Sequence, residues 1–351
     1  MNVAIVGATG YGGIQAVNLL KKIKKYKISF LGGNKTSGSK WNDNFPFIYL
    51  DNDPYIEEIS VDNISKNADF ALLCLPNGLS STLTRKLLDR GLKVIDLSAD
   101  YRYKSLDHWK KVYSKEAAIY KRNDDDLCKE AVYGLPEINK EAISKGRLIA
   151  CPGCYPTSAL IPLVPYLSQG IIENEGIVID SKSGTSGGGR EPNQKLLFSE
   201  CGEGLSAYGL INHRHTSEIE QVASIISGNK IELLFTPHLV PISRGMHSTI
   251  YGRLRDPGLT SDDCRILLDN YYRNFKNIKV LPVDTFPSTK WVKNTNQIFL
   301  SVKVDIRNGR IVILSVIDNL LKGQTGQAIQ NLNIMSGFSM DEGLDLTNNF
   351  P

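Results

Sequence analysis

Through the first half of the chain, continuous apolar runs that end in small or turn-forming residues alternate with stretches of helical period. VAIV (3–6) leads into GATGYGG and then into a segment where Ala16, Leu19, Leu20 and Ile23 recur at i, i+3, i+4 and i+7. That order predicts a buried strand, a glycine turn and an amphipathic helix. KISFL (27–31), DFALLCLP (69–76) and LKVIDLS (92–98) are further strand-like runs, the last two separated by a helix-like segment, as a doubly wound parallel sheet requires. Residues 102–146 turn polar, and the run Asp124 to Asp126 lacks an EF-hand pattern and predicts a solvated loop.

The pattern changes after residue 146. GRLIACPGCYPTSALIPLVPYL reads as a strand ending at Cys151, a Pro-Gly turn, and a helix from Cys154 with Leu160, Leu163, Val164 and Leu167 at helical spacing. Pro156 suits a first turn, whereas Pro162 and Pro165 each remove an N–H and predict a kinked or short helix. IFLSVKVDIRNGRIVILSVID is two alternating strands about Asn308-Gly309, a strong hairpin signal. DNLLKGQTGQAIQNLN then predicts a polar turn and a closing helix that returns to the first domain. The expected fold is α/β: a Rossmann-type doubly wound parallel sheet, plus an α+β catalytic and oligomerisation domain with a largely antiparallel sheet. The expected division is 1–150, completed by 318–351, and 151–317.

A length of 351 residues agrees with two domains. The formal net charge of +4 is scattered, apart from Lys21, Lys22, Lys24 and Lys25 around Ile23, which read as the solvated face of a helix rather than a nucleic-acid patch. The opening MNVAIVGATG has no signal-peptide pattern, and no apolar run approaches the ~20 residues of a membrane span. A soluble, cytoplasmic protein without nucleic-acid or membrane partners is expected. In that compartment the six cysteines are expected as free thiols.

Glycines 7, 10 and 13 allow a tight turn and close approach of a ligand to the helix start, where unpaired N–H groups attract an anion. The spacing is G-x-x-G-x-x-G rather than G-x-G-x-x-G. After the second strand, GGNKTSGSK offers Lys35, Ser37 and Lys40 with no carboxylate, which favours a 2′-phosphate and so NADP. The runs ending at Pro76 and Ser98 would bring those residues to the carboxyl edge of the sheet, where ligands bind.

Cys151 and Cys154 form a C-x-x-C pair. A redox pair lacks a thioredoxin-like surrounding, and a zinc site would need Cys201 or the 213–215 histidines at spacings unlike a zinc finger, so no metal is expected. A thiol in a helix's first turn feels the positive end of the dipole, which marks Cys154 as the nucleophile and leaves Cys151 to the core. SGTSGGGR (183–190) predicts an anion nest from Ser183 and Gly184 onward, with Arg190 as a bidentate donor. His213, Arg214 and His215 concentrate a proton carrier and an anion binder ahead of a helix with Ser217 as a possible N-cap. His238 and His247 bracket LVPISRGM with Arg244.

Nearly end to end, the motifs GATGYGG, DLSADYR, YGLPEIN, PGCYPTSA, SGTSGGGR, HRHTSEIEQ, PHLVPISRG and DNLLKGQTGQAIQN resemble the N-acetyl-gamma-glutamyl-phosphate reductases of the semialdehyde dehydrogenase group. The resemblance implies NADPH-dependent reduction of an acyl phosphate to a semialdehyde in arginine biosynthesis, through a Cys154 thioester with His215 as acid/base. With these readings NADP(H) is expected at Gly7, Thr9, Gly10, Tyr11, Gly12, Gly13, Lys35, Ser37, Pro76, Ser98, Gly184 and Asn319, and substrate phosphate at Ser183, Arg190, His213 and Arg214. A homo-oligomer, dimer or tetramer, is implied as well. Ser217 stands where the family often has proline, and His247 where relatives carry an apolar residue. Aminoadipyl-phosphate and aspartyl-phosphate reductases are the nearest enzymatic alternatives, and a dinucleotide-binding thiol sensor is the alternative of another class.

Overall fold

The computed structural model describes residues 1–346 and divides into two compact units, Met1–Pro152 with Gln324–Asp345, and Gly153–Gly323. Residues 318–323 thus group with the second unit, and the return begins at Gln324. Of the tail 336–351, residues 347–351 lie outside the described part.

In the first unit β1 (Asn2–Val6), β2 (Lys27–Gly32), β3 (Phe70–Leu73), β4 (Lys93–Asp96), β5 (Val132–Tyr133) and β6 (Leu148–Ala150) form one sheet in the order β2-β1-β3-β4-β6-β5, every pair parallel. Val3, Ala4, Ile5 and Val6 are all fully buried. Because side chains alternate across a strand, both faces of the sheet are covered, and this is why the strands read as unbroken apolar runs. Ala4, Val6, Ala71 and Leu73 pack with Ile64, Leu87 and Leu88 of the helices Val61–Ser65 and Ser81–Asp89.

The closing helix Gly326–Met335 is buried at every position and packs on the helices Tyr11–Leu20 and Pro136–Lys145. Three polar side chains tie it to the rest of the unit: Asn331 donates to the Gly134 carbonyl (2.9 Å), Asn333 Oδ1 accepts from Tyr26 (2.9 Å), and Thr325 at its N-cap donates to the Gly12 carbonyl (3.1 Å).

Two readings of the first unit need correction. The helix from Tyr11 ends at Leu20, so the four lysines lie on an exposed turn around the buried Ile23 rather than on a helix face. Asp124 is not in a solvated loop. It is buried against Arg122 (3.0 Å) and accepts from Tyr101 Oη (2.6 Å), while the Arg122 guanidinium lies between the Tyr101 and Trp109 rings. An acidic run read by composition alone does not show that one member has a buried cation waiting for it.

The second unit holds β7 (Ile177–Gly184), β8 (Ser206–Ala207), β9 (Leu233–Val240), β10 (Met246–Arg253), β11 (Ile278–Val280), β12 (Ile298–Asp305) and β13 (Arg310–Ile317), in the order β11-β12-β13-β10-β7-β9-β8. Only β11–β12 and β7–β9 pair in parallel; the other four pairs are antiparallel. The β12–β13 hairpin pairs Asp305 with Arg310, so its loop has four residues, with Gly309 in the left-handed region (φ 64°).

Helix Cys154–Ser168 packs on this sheet and runs unbroken through Pro162 and Pro165, contrary to the expected kink or early stop. Pro165 cannot donate to the carbonyl four residues earlier, that of Ile161. Tyr272 Oη from the helix Ser261–Tyr272 donates to it instead (2.5 Å), so the buried carbonyl keeps a partner. Tyr272→Phe is expected to lower stability by about 1–3 kcal/mol in urea unfolding, the range for orphaning one buried acceptor. A loss near zero would show that the proline gap needs no substitute donor.

Candidate active site

In the first unit, the carboxyl ends of β1 to β4 carry the residues assigned to a dinucleotide. Gly7 turns with φ +84°, and its N–H and that of Ala8 donate to the Gly32 carbonyl (3.0 and 2.8 Å). A Cβ on Gly13 would stand 2.3 Å from the Gly7 carbonyl oxygen, so only glycine lets the helix start this close to the turn. Gly10 is the N-cap and has no side chain to accept the first helical N–H groups, while Tyr11, at the first helical position, is 38% exposed. Lys35 and Ser37 are exposed after β2, with no carboxylate between Gly33 and Lys40. A helix start without a capping side chain and a basic loop without an acid fit a dinucleotide that carries a 2′-phosphate.

The loops after β3 and β4 are bound to each other. Asp100 accepts from the N–H groups of Gly78 (2.6 Å) and Ser81 (2.9 Å), and Asn77 accepts from Ala99 N–H (3.0 Å). Burial, with Asp96 nearby, pushes Asp100 up to about 7. The Ser98 hydroxyl donates to Asp96 (2.7 Å) and accepts from Asp100 N–H (3.1 Å), so it shapes the loop after β4, which Asp100 ties to the Pro76 loop after β3.

In the second unit two helices meet at their amino-terminal ends. Cys154 is the first residue of its helix, with Gly153 as an N-cap that brings no side chain. The second helix, Arg214–Ser227, is capped not by Ser217 but by His213, whose Nδ1 accepts from His215 N–H (3.1 Å). Burial, with Arg214 second, lowers His213 to about 4, so near neutral pH its imidazole is uncharged, as an accepting Nδ1 requires. The His215 ring lies against Gly153: a Cβ there would stand 2.4 Å from His215 Nε2. Tyr155, Tyr208 and Phe235 set their ring edges around the His213 and His215 pair.

Glu218, one turn beyond His215 and fully buried, accepts from Gly153 N–H at 3.0 Å. Sequence reading passed over it as part of an acidic helix start. The usable signal was its i+3 spacing from His215, which puts both side chains on one helix face. The two cysteines of the C-x-x-C pair differ in kind. Cys151 is buried in the first unit and pushed up to about 12 by desolvation, whereas Cys154 is only partly covered.

The glycine-rich turn after β7 differs from the expected nest. The N–H groups of Gly184, Thr185 and Ser186 donate to the carbonyls of Gly245, Ile242 and Ser243, and only Gly187–Arg190 is exposed. Asn319, in the same unit, bridges these loops by donating to Ser186 Oγ (2.9 Å) and accepting from Gly245 N–H (2.8 Å). Ser183 is buried and donates to the Gly184 carbonyl, and Arg214 is exposed. His247 lies on the sheet face opposite to that of its neighbour Ser248, across from Lys182, and does not join the Cys154 group.

Residues 2–146 match the model of the semialdehyde dehydrogenase NAD-binding domain, and residues 154–319 that of the semialdehyde dehydrogenase dimerisation domain. The chain is 97% identical over all 351 residues of both chains to the N-acetyl-gamma-glutamyl-phosphate reductase of Prochlorococcus marinus (strain AS9601), and 79% identical over the same full span to that of strain MIT 9515. The fold is like that of aspartate semialdehyde dehydrogenase II from Vibrio cholerae, with a TM-score of 0.72 at 19% identity, covering 96% of this chain and 98% of that one.

Gly153→Ala is expected to destabilise the protein by about 1–3 kcal/mol through overpacking. The further change His215→Ala, which empties that space, should recover most of the loss in urea unfolding; no recovery would show that the strain lies elsewhere. For His213, the unfolded chain takes up a proton near pH 6.5 and the folded one only near 4. Its contribution is therefore full above pH 6.5 and is lost as the pH falls from there toward 4. His213→Gln is expected to flatten the stability-against-pH curve in that window, and an unchanged slope would exclude this group as its source.

Proposed function

Because the chain belongs to the N-acetyl-gamma-glutamyl-phosphate reductase family of semialdehyde dehydrogenases, we propose Cys154 as the nucleophile and His215 as the proton carrier of that reaction. The reaction is the NADPH-dependent reduction of N-acetyl-L-glutamyl 5-phosphate to the 5-semialdehyde and phosphate, a step of arginine biosynthesis. The observation that carries the assignment is a thiol at a bare helix start with an imidazole against the preceding glycine.

The Cys154 thiolate, favoured by the helix dipole, attacks the acyl carbon. The carbon–oxygen bond to phosphate breaks with its electron pair, and a thioester remains on Sγ. NADPH, when bound, supplies the hydride that reduces this thioester. Collapse of the resulting thiohemiacetal returns the electron pair to Sγ and releases the aldehyde. His215 Nε2 takes the thiol proton before attack and manages the proton on the substrate oxygen, a role worth about 10²- to 10⁴-fold in rate. With its Nδ1 engaged by His215 N–H, His213 has Nε2–H to offer the departing phosphate, alongside Ser183, Arg190 and Arg214. For the cofactor, the glycine turn with Thr9 and Tyr11 would hold the pyrophosphate, and Lys35 and Ser37 the 2′-phosphate. Pro76 and Ser98 line the same sheet edge, and Gly184 and Asn319 belong to the second unit.

The enzyme is further proposed to work in the cytoplasm as a homo-oligomer, dimer or tetramer, through the exposed face of the second sheet. Two observations support this: a domain of the dimerisation type, and a face bearing the partly exposed Leu234 and Tyr251 around Asp180, Lys182 and His238. No helix among the described residues is long and apolar enough to cross a membrane.

Monitored by NADPH consumption, Cys154→Ser is expected to lower turnover by about 10³-fold or more while NADPH still binds, and Cys151→Ala to stay active. An active Cys154→Ser enzyme would overturn the assignment, and equal losses in both variants would return the pair to redox chemistry.

A further inference from the structure

The face of the second sheet that carries the helix Cys154–Ser168 is built in layers. On the adjacent strands β7, β10 and β13, Ile179, Ile250 and Ile313 stand in register, then Ser181, Ser248 and Ser315, then Ser183, Met246 and Ile317. The middle layer is an anomaly, because three serines with 0% exposure occupy the centre of a core whose next layer is isoleucine throughout. A fourth buried serine, Ser158, comes down on them from the helix. Its Oγ lies 2.8 Å from Ser248 Oγ and 3.5 Å from Ser315 Oγ, and Ser248 Oγ lies 2.7 Å from Ser181 Oγ.

We infer that these four serines form a hydroxyl lock that seats the nucleophile's helix on the sheet, making Ser158 and Ser248 positioning residues for Cys154. The inference builds on Cys154 being the nucleophile. Ser158 is one turn after Cys154 and on the same side of the helix. A Cβ on Gly323 would stand 2.9 Å from Cys154 Cβ and 3.3 Å from Ile317 Cδ1, so Cys154 lies level with the Ile317 layer, one layer beyond the serines. Most side chains of this helix are apolar, and apolar contacts carry no directional preference. Hydroxyls bond only at short range and in fixed directions. Each has one proton to donate and two lone pairs, so Ser248 can bond Ser158 and Ser181 at once, donating to one of them or accepting from both. Rotating the helix by one residue would carry Ser158 away and leave buried hydroxyls unpaired.

The test is Ser158→Ala, a change that favours helix formation and leaves the Ser181–Ser248 pair bonded. Because misplacing a reacting group by about 1 Å can cost 10²-fold, kcat is expected to fall about tenfold or more, with KM for the acyl phosphate and binding of NADPH within about twofold of wild type. The pH midpoint for alkylation of Cys154 by iodoacetamide is expected to move as well. Ser248→Ala should behave alike, and the double variant should be little worse than either single one, as members of one network require. Folded Ser158→Ala enzyme with wild-type kcat and an unmoved alkylation profile would overturn the lock, whatever its effect on melting temperature. If Ser248→Ala fails to fold, Ser158→Ala decides alone. Failure of the underlying assignment would show differently, as wild-type enzyme that stays active after Cys154 is alkylated.

Discussion

The Glu218 carboxylate, buried without exposed surface and bonded to Gly153 N–H, fixes where one helix starts relative to another, and the arrangement around Cys154 depends on that bond. A helix start has N–H groups that its own turns cannot satisfy. Gly153 has no side chain to bond them, and none would fit, because the His215 ring fills that space. One face of the helix Arg214–Ser227 therefore supplies both the acceptor for Gly153 and the imidazole that excludes a side chain from it. Losing the carboxylate would leave the buried Gly153 N–H unsatisfied.

Other buried polar anchors hold the segments around this pair. Asp318, fully buried at the end of β13, accepts from Arg244 (2.9 Å) and from the N–H groups of Asn294, Leu320 and Leu321 (2.8, 2.9 and 3.0 Å). A buried carboxylate is tolerable only when its oxygens are served this fully. The bonds set the path into the π-helical turn Leu321–Thr325, whose Gly323 comes so close to Cys154 that a methyl group there would collide with its Cβ. Asn319, the next residue, joins the turn after β7 to the loop at Gly245. Within the second unit the thiol is thus bounded by backbone that cannot shift without breaking bonds to buried partners.

Elements whose cause is local were legible in the sequence. Val3 to Val6, Gly7 to Gly13 and the helix after them follow from apolar runs, a turn that only glycine fits, and helical period. The unlike placing of Cys151 and Cys154 follows from a strand ending where a helix begins. What escaped has a distant cause. The donor that lets the helix pass Pro165 comes from Tyr272, and the amides that looked like an anion nest found their acceptors at Ile242, Ser243 and Gly245. Asp124 looked like a solvated acid within a charge-rich run, and its pair with the nearby Arg122 is buried against the distant rings of Tyr101 and Trp109. Glu218 was in view as a residue but not as a partner, since nothing near it in the chain reveals the N–H it serves.

The same distinction separates the glycines and serines of this site from the arginines that are prominent in its sequence. Arg190 and Arg214, prominent in the sequence, lie at the surface, where a long side chain can reach a ligand without the fold having to define its position. Gly153, Gly323, Ser158 and Ser248 contribute little area and no charge, yet each is placed to within the reach of one contact. In the proposed reaction the Cys154 thiolate must meet an acyl carbon, which requires its position to be closely set. Residues that permit close approach, and hydroxyls that bond in one direction, supply that restriction at small volume, which is why they gather around the start of the Cys154 helix.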